Sequence, residues 1–325
     1  MNMKLQDYFK KDYEKGLWSM ESITLIYMVF TSVLIGFYWN KLADPMGMVV
    51  TRLIMLAAMG AVYGIYRLYP CRALRILRVV PPLLGLISWY PETYDFCSQL
   101  PYLDHIFAGI DQTLFGCQPA LVFNTVVTST FWSEAFNMGY YAYYYMMGAT
   151  LIFYLLCRYP EADKAGFVFL ASFFLFYLIY EFLPVAGPQY YFKAVGVETA
   201  DTGVFPAVGY YFQTHTEMLM PEIKGIFSQL VLGAQEVGER PTAAFPSSHV
   251  GMSTVTMLLA WKAQNKWLFW VMMQLYLLLC CATVYSQAHY LIDSICGFFT
   301  ALLFFGLTWW LYDRIHPSRR ANGHL

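Results

Sequence analysis

Long apolar runs recur along this chain, and they constrain its fold more than any other feature. A helix needs about 20 mostly apolar residues to cross a hydrocarbon core of about 30 Å. Eight runs approach or exceed that length: residues 22–39, 48–69, 76–92, 139–157, 165–184, 249–263, 266–285 and 291–312. Only 13% of the residues are charged, against about 25% in a soluble globular domain. We therefore predict an all-α, polytopic membrane protein of about eight transmembrane helices.

The uneven distribution of Lys and Arg predicts the orientation of the chain in the membrane. Most of the twenty basic residues lie before the first run, after the last, or between runs two and three, four and five, or six and seven. They are Lys4, Lys10, Lys11, Lys15, Arg67, Arg72, Arg75, Arg78, Arg158, Lys164, Lys262, Lys266, Arg314, Arg319 and Arg320. Residues 90–137 contain no Lys or Arg. Both termini are therefore expected in the cytoplasm, with the starts of the sixth and eighth runs on the periplasmic or lumenal side.

The net charge and the cysteine spacings limit which partners, metals and disulfides are expected. The net charge of −1 argues against a nucleic-acid partner, which would require a basic face. No Cys-x-x-Cys pair or Cys/His cluster has metal-site spacing, so neither a metal nor a cofactor is expected. Cys97 and Cys117 share one outer loop and could form a disulfide in an oxidising compartment. The sequence leaves that pairing open.

The eighth run begins with the sequence HYLID, in which His289 and Asp293 are four residues apart. On a helix this spacing places both side chains on one face. A carboxylate that accepts one ring N–H of a histidine leaves the other ring nitrogen as a base or nucleophile. Ionisable groups are costly at a membrane boundary, so the pair indicates a functional site.

The sixth run begins with the sequence PSSH at residues 246–249. Ser247 or Ser248 can cap the helix that follows, and the N-terminus of a helix favours an anion. His249, in the first turn, can deliver a proton to an oxygen leaving a bound phosphate. The two segments together predict a phosphoryl-transfer site that needs no metal.

The PSSH segment followed by HxxxD at the start of the last helix resembles the type 2 phosphatidic acid phosphatase superfamily. Residues 181–190, which contain Gly187-Pro188-Gln189, resemble the "GPR" stretch of several of its branches. Residues 282–293 and 245–249 are most similar to the inositol phosphorylceramide synthase branch. The resemblance covers the chain from about Asp111 onward. It implies that residues 71–325 form a six-helix catalytic membrane domain, and that residues 1–70 form an interfacial segment with two peripheral helices.

The resemblance also implies roles for five residues. His289 would be the nucleophile that takes the phosphoryl group as a phosphohistidine, and Asp293 would orient it. His249 would protonate the departing oxygen and later deprotonate the acceptor. Ser247 and Ser248 would hold the phosphate oxygens.

The chain departs from the superfamily pattern where arginines are common. Thr283 stands six residues before His289, where hydrolases of the superfamily have Arg, and Gln189 replaces another Arg. Fewer fixed cations are therefore available for a phosphate. Either Arg240, Lys193 or Lys224 would have to substitute, or the bound partner has a different charge. Arg240 is the first choice, although an ordinary loop arginine is an equally good interpretation. Gln189 and Lys193 complete the predicted substrate-binding set.

These features together predict a membrane lipid phosphotransferase. It would move a phospho-headgroup, such as inositol phosphate, from a phospholipid to a ceramide-like lipid alcohol. The sphingolipid-headgroup transferases also lack the Arg at the position of Thr283, which favours a transferase over the alternative, a lipid or prenyl phosphate phosphatase. A non-enzymatic transporter is the less favoured third interpretation, because inverted repeats and broken mid-membrane helices are missing from the pattern.

Three further segments receive structural interpretations. The tyrosine-rich residues 140–145 are typical of an interfacial aromatic belt. Asp111 and Gln112 are expected to stabilise a turn, although they could also line the site from the outer loop. Apolar residues at four-residue spacing indicate an amphipathic surface helix at the N-terminus, although a frayed terminus is equally compatible. Those residues are Leu5, Phe9, Tyr13 and Leu17.

Overall fold

The computed structural model describes residues 8–220 and 222–317. Within these ranges the chain forms fifteen α-helices and no β-strand beyond one isolated bridge. The helices are α1 (Ser19–Tyr38), α2 (Pro45–Leu68), α3 (Arg72–Leu77), α4 (Val80–Cys97), α5 (Asp104–Phe115), α6 (Pro119–Val126), α7 (Thr130–Tyr141), α8 (Tyr143–Cys157), α9 (Ala162–Phe182), α10 (Pro188–Val195), α11 (Val197–Asp201), α12 (Ile226–Gly238), α13 (Ser248–Lys262), α14 (Lys266–Tyr285) and α15 (Leu291–Ile315).

Six helical segments of the described chain are long and apolar enough to cross a membrane. They are α1, α2, the joined α3 and α4, α9 with the turn before it, α14 and α15. A seventh arises if α5 and α6, which meet at 58°, form one broken span. The all-α, polytopic class is thus confirmed, whereas the count of eight is not. The runs at 139–157 and 249–263 include α8 and α13, whose 15 residues reach only about 22 Å at the usual rise of 1.5 Å per residue.

Residues 104–126, expected as outer loop, instead form α5 and α6. Gly116 ends α5 with a left-handed φ of 71°, as is usual for a glycine after a helix. Pro119 then begins α6, where its fixed φ suits the first helical position. These two residues account for the bend between the helices.

The contacts between residues divide the chain into two compact units. The first comprises residues 1–92, 151–174 and 307–325, and the second comprises residues 93–150 and 175–306. The predicted division into a peripheral segment, residues 1–70, and a catalytic membrane domain, residues 71–325, stays a prediction. Every residue of the predicted site lies in the second unit.

Buried ion pairs stabilise the first unit. Arg52 donates from Nη2 to Glu92 Oε2 at 2.7 Å and from Nη1 to Oε1 at 3.0 Å. Arg78 and Glu21 form a second pair, with 1% and 2% of their surfaces exposed. Pairing of this kind is what makes charged side chains tolerable within apolar surroundings.

The predicted amphipathic N-terminal helix does not form in residues 8–18. This segment contains only a short 3₁₀ turn, and Lys11 forms a bridge with Cys71. Phe9, Tyr13 and Leu17 are nevertheless exposed, whereas Leu5 lies outside the described residues. Regular spacing of apolar residues was therefore not sufficient to produce a helix here.

In the second unit, α14 packs against α7 and α13, and α12 packs against α7. The turn between α14 and α15 is held between two buried clusters. Ala288 belongs to one cluster, with Tyr140 and Tyr285. Tyr290 belongs to the other, with Ala244 and Phe107, among others. The residue between Ala288 and Tyr290 is His289, so its backbone is fixed on both sides.

Candidate active site

The two predicted histidines meet in the structure. His249 lies in the first turn of α13 and His289 lies in the turn before α15. His249 Nδ1 is 3.3 Å from His289 Nε2, and the ring centroids are 5.5 Å apart. Two segments forty residues apart in the chain are thereby brought into direct contact.

The hydrogen bonds of His289 fix its tautomer. Its Nδ1 lies 2.8 Å from the carbonyl oxygen of Ala244, and a carbonyl oxygen can only accept, so Nδ1 carries the hydrogen. The lone pair is therefore on Nε2, directed at His249. Burial lowers the pKa of His289 from 6.5 to about 4, against the opposing effect of the Ala244 carbonyl. The imidazole is thus neutral near pH 7, with an unprotonated Nε2 that faces His249.

Asp293 contacts this histidine at a longer distance than expected. Its Oδ2 is 3.7 Å from His289 Nδ1, beyond hydrogen-bonding range, and it instead accepts the backbone N–H of Tyr290 at 2.9 Å. Such a bond, from a third helical residue back to the helix start, is one half of a capping box. The Ala244 carbonyl thus orients the ring, and Asp293 caps α15 beside it.

The N-terminus of α13 is joined to α15 at the site. Ser247 caps α13 by accepting the N–H of Val250 at 3.4 Å, and its own N–H donates to the Asp293 carbonyl at 3.0 Å. Gly297 of α15 faces the Ser247 backbone so closely that a Cβ there would overlap the Ser247 carbonyl oxygen. Ser248 begins α13 and is buried. The PSSH segment therefore places the first turn of α13 next to the contact between the two imidazoles.

Two tyrosines enclose the ring of His249. The Tyr140 ring stacks on it at 4.6 Å and 25°, and the Tyr143 ring lies at 4.6 Å and 44°. Both tyrosines are buried, whereas Tyr144 and Tyr145 are exposed. The interpretation of residues 140–145 as an interfacial belt is thus wrong for Tyr140 and Tyr143, because their rings pack on an imidazole in the protein interior.

A comparison with family models shows which family the chain belongs to. Residues 105–307, more than half of the chain, match the family model of the PAP2 superfamily. The chain belongs to the PAP2 superfamily. No curated protein and no solved structure matches it. Membership fits a lipid phosphatase or phosphotransferase with lipid substrates, and together with the apolar helices it indicates an integral, multi-pass membrane protein.

The position where PAP2 hydrolases carry an arginine serves a structural purpose here. Thr283 is fully buried, and its carbonyl accepts the backbone N–H of His289 at 3.0 Å. Its hydroxyl lies 3.0 Å from the hydroxyl of Ser294. Thr283 therefore stabilises the turn that carries His289 and supplies no charge.

Gln189 lies beside the same turn. It is buried, and its backbone N–H donates to the carbonyl of Gln287 at 2.9 Å. The preceding Gly187 has a φ of +98°, and a Cβ there would lie 2.7 Å from the Ala288 carbonyl oxygen. The close approach of residues 187–189 to residues 287–289 therefore requires glycine.

Among the described residues, no hydrogen bond joins any of the three predicted cations to His249 or His289. Arg240 is exposed and donates to the carbonyl of Glu239 at 2.8 Å. Lys193 is exposed in the last turn of α10. Lys224 lies 3.3 Å from Glu222 and donates to the Thr128 carbonyl. Their contact with a phosphate stays a prediction.

Possible metal ligands and the two outer-loop cysteines form neither a cluster nor a bond among the described residues. Within residues 8–220 and 222–317, no group of three or more His, Cys, Asp or Glu side chains is arranged to hold a metal ion. Cys97 and Cys117 are free thiols, and Cys97 Sγ donates to Thr242 Oγ1 at 3.2 Å.

Two carboxylates of α5 lie at the site without having been predicted there as a pair. Asp111, expected to stabilise a turn, accepts the N–H groups of Leu291 and Ile292 at the start of α15. Asp104 accepts the N–H groups of Ala186 and Gly187. The sequence signal was available, because residues seven apart share a helix face, and two aspartates on the buried face of an apolar helix require partners.

Proposed function

We propose that this PAP2 protein is a lipid phosphotransferase. It would move a phospho-headgroup, such as inositol phosphate, from a phospholipid to a ceramide-like lipid alcohol through a phosphohistidine at His289. The observation that carries the proposal is the 3.3 Å contact between His289 Nε2, which holds a lone pair, and His249 Nδ1. A nucleophile and a proton donor adjacent at a helix N-terminus are the groups that metal-independent phosphoryl transfer requires.

In the first half-reaction, His289 Nε2 attacks the phosphorus of the donor. The bond between phosphorus and the diacylglycerol oxygen breaks, and the imidazolium form of His249 gives its proton to that oxygen. Burial and the neighbouring His289 lower the pKa of His249 in the resting state, so the imidazolium would form when the anionic donor binds. The rings of Tyr140 and Tyr143 would then stabilise it by cation–π interaction. Ser247, Ser248 and the first N–H groups of α13 would hold the phosphate oxygens.

The two imidazoles must separate when the donor binds. The attacking nitrogen approaches phosphorus at about 3–3.5 Å, and the leaving oxygen then needs its own hydrogen bond to the acid. A donor phosphate between the two rings needs both of these distances one after the other. Their sum exceeds the 3.3 Å that separates the two nitrogens in the structure. The observed contact is therefore the resting state, in which His249 covers the nucleophile.

In the second half-reaction the acceptor hydroxyl attacks phosphorus while His249 removes its proton, and the bond to Nε2 breaks. An alcohol acceptor gives transfer, and water gives hydrolysis. The neutral residues Thr283 and Gln189, where arginines are common, support transfer of a diester headgroup, which carries less charge than a phosphate monoester. Arg240 and Lys193 remain the proposed cations for the phosphate.

We further propose that both termini are cytoplasmic and that the site faces the periplasm or a lumen. The support is the distribution of Lys and Arg, which places the starts of α13 and α15 on the side without basic clusters.

The choice of acceptor is tested with purified protein in vesicles that contain phosphatidylinositol and labelled ceramide. We expect the label to appear in a new phospholipid that contains inositol phosphate, in amounts equal to the diacylglycerol released. Vesicles without phosphatidylinositol are the control. Release of free phospho-headgroup with unmodified ceramide would instead identify a hydrolase and refute the transferase proposal.

The protonation of His289 predicts an unusual pH dependence. Only the neutral imidazole attacks, and its fraction falls as the pH falls through a pKa of about 4. In single turnovers with the donor alone, we expect the acid limb of the rate profile to be centred near pH 4 and not near the ordinary value of 6.5. The rate should fall again at higher pH, where the His249 imidazolium that protonates the leaving oxygen loses its proton. Because the unfolded chain binds this proton more tightly, stability should also fall from pH 6.5 towards pH 4. An acid limb centred near pH 6.5 would contradict a buried nucleophile.

A further inference from the structure

Two carboxylates on α5 contact the backbone of both segments that surround the nucleophile. Asp104 and Asp111 are seven residues apart and each has 0% of its surface exposed, as has Ala108 between them. They therefore form one buried face of α5, two helical turns long. The hydrogen bonds of both carboxylates go to other groups and not to an imidazole, so neither residue has a part in the proposed proton and phosphoryl transfers.

Asp111 fixes the start of α15. Its Oδ2 accepts the N–H of Leu291 at 2.8 Å, and its Oδ1 accepts the N–H of Ile292 at 3.0 Å. Asp293 accepts the N–H of Tyr290, the preceding one. Three successive N–H groups are thus held by two carboxylates, one of them on a different helix. Asp111 on α5 therefore fixes the position at which α15 begins, two residues after His289.

Asp104 joins two segments that are distant in sequence. Its Oδ2 accepts the N–H of Ala186 at 2.9 Å, and its Oδ1 accepts the N–H of Gly187 at 2.8 Å. The same Oδ1 accepts the hydroxyl of Tyr290 at 3.2 Å. Asp104 thereby ties residues 185–187 to the residue that follows the nucleophile.

The remaining links close a ring of hydrogen bonds. The N–H of Ala244 donates to the carbonyl of Val185 at 3.1 Å. The carbonyl of Ala244 accepts Nδ1 of His289 at 2.8 Å. Starting from Asp104, the ring runs through residues 186 and 185 to Ala244, then to His289 and through Tyr290 back to Asp104. This ring fixes the position of the Ala244 carbonyl relative to α5. That carbonyl is the acceptor that orients the nucleophilic imidazole.

We infer that Asp104 and Asp111 are positioning residues, which hold the Ala244 carbonyl and the start of α15 so that His289 presents Nε2 to the phosphorus. The inference rests on the proposed function, since it takes His289 as the nucleophile. A shift of about 1 Å in such a group can reduce a rate a hundredfold. The requirement explains why two carboxylates are buried where neither meets a cation among its described partners.

Glu134 provides a matched control. Its Oε2 accepts the N–H of Phe227 at 2.8 Å and its Oε1 accepts the N–H of Ser228 at 3.0 Å, at the start of α12. Chemically this is the same contact that Asp111 makes with α15. The helix that it caps carries neither histidine, so loss of the Glu134 carboxylate should alter stability alone.

The test compares Asp104→Asn, Asp111→Asn and Glu134→Gln in the vesicle assay. For each aspartate variant we expect kcat to fall about 10- to 100-fold with KM changed less than about threefold, because orientation and not binding is lost. Glu134→Gln should keep kcat within about twofold of the wild type. Tyr290→Phe removes one hydrogen bond of Asp104 and keeps the others, so it should lower kcat about threefold. This variant replaces Asp104→Asn in the test if Asp104→Asn does not fold. If the aspartate variants lose stability as Glu134→Gln does but keep their kcat, the inference is wrong.

A second measurement needs no substrate. In ¹⁵N-histidine NMR of the membrane-embedded protein, with His289 identified from a His289→Ala sample, the wild type should show only the tautomer with hydrogen on Nδ1. Asp104→Asn should show a mixture of tautomers, because the Ala244 carbonyl is displaced. An unchanged single tautomer would overturn the inference. Failure of the proposed function is a separate outcome, in which the wild type is inactive while the tautomer still depends on Asp104.

Discussion

Replacement of His289 by alanine should reduce headgroup transfer by at least about a thousandfold, since loss of a nucleophile commonly costs that much or more. The expectation follows from the geometry, in which His289 alone has a ring nitrogen with a lone pair at the contact between the histidines. The measurement is the rate of diacylglycerol release from phosphatidylinositol in vesicles.

His215→Ala is the appropriate control for this variant. His215 is exposed and its ring stacks on Tyr211 at 4.2 Å, so its loss should leave the rate unchanged. Thermal unfolding should show that both variants remain folded, since truncating His289 removes the ring contacts with Ala244 and His249 but keeps the backbone hydrogen bond to Thr283. Transfer by folded His289→Ala protein at more than a few per cent of the wild-type rate would refute the mechanism.

Replacement of His249 by alanine should have the second-largest effect, and the size should depend on the leaving group. A general acid contributes about 10²- to 10⁴-fold when the departing oxygen is a poor leaving group. With the natural donor, which releases an alkoxide, we expect a loss in that range. With a p-nitrophenyl diester of the same headgroup, the departing phenolate needs no proton, and the loss should be less than about tenfold.

Equal losses with both donors would contradict the role of His249 as the acid. Tyr143→Phe is a useful companion variant, because it keeps the ring that packs on His249 at 4.6 Å and removes only the hydroxyl that donates to the Ser248 carbonyl at 3.4 Å. Its rate should stay near that of the wild type with both donors. The comparison thus separates loss of the proton donor from disturbance of its surroundings.

The fold class was predictable from the sequence because it depends on the length and apolar character of single segments. The sequence run at residues 266–285 matches α14 residue for residue, and the run at 291–312 lies within α15. Fifteen-residue helices such as α8 and α13 were harder to assign, since their apolar runs resemble spans but are too short to cross a bilayer. The number of spans therefore could not be fixed from hydropathy.

The residues of the candidate site were also predictable, because His249, His289 and Asp293 stand at fixed spacings within short segments. Their partners were not. The acceptor that orients His289 is a backbone carbonyl, that of Ala244, and backbone groups leave no trace in sequence. Tyr140 packs on His249 through a contact between α7 and α13, and a tyrosine-rich run reads equally well as an interfacial belt. Contacts between distant segments, and not local pattern, determine these features.

The phosphohistidine itself provides the most direct test of the account. The purified protein is mixed with phosphatidylinositol that carries ³²P in its phosphate, quenched within one turnover in base, and digested with a protease. We predict one labelled peptide, with the label stable in base and released by mild acid, that maps to residues containing His289. A protein that turns over this donor without any labelled peptide, or with label on a residue other than His289, would contradict the central claim.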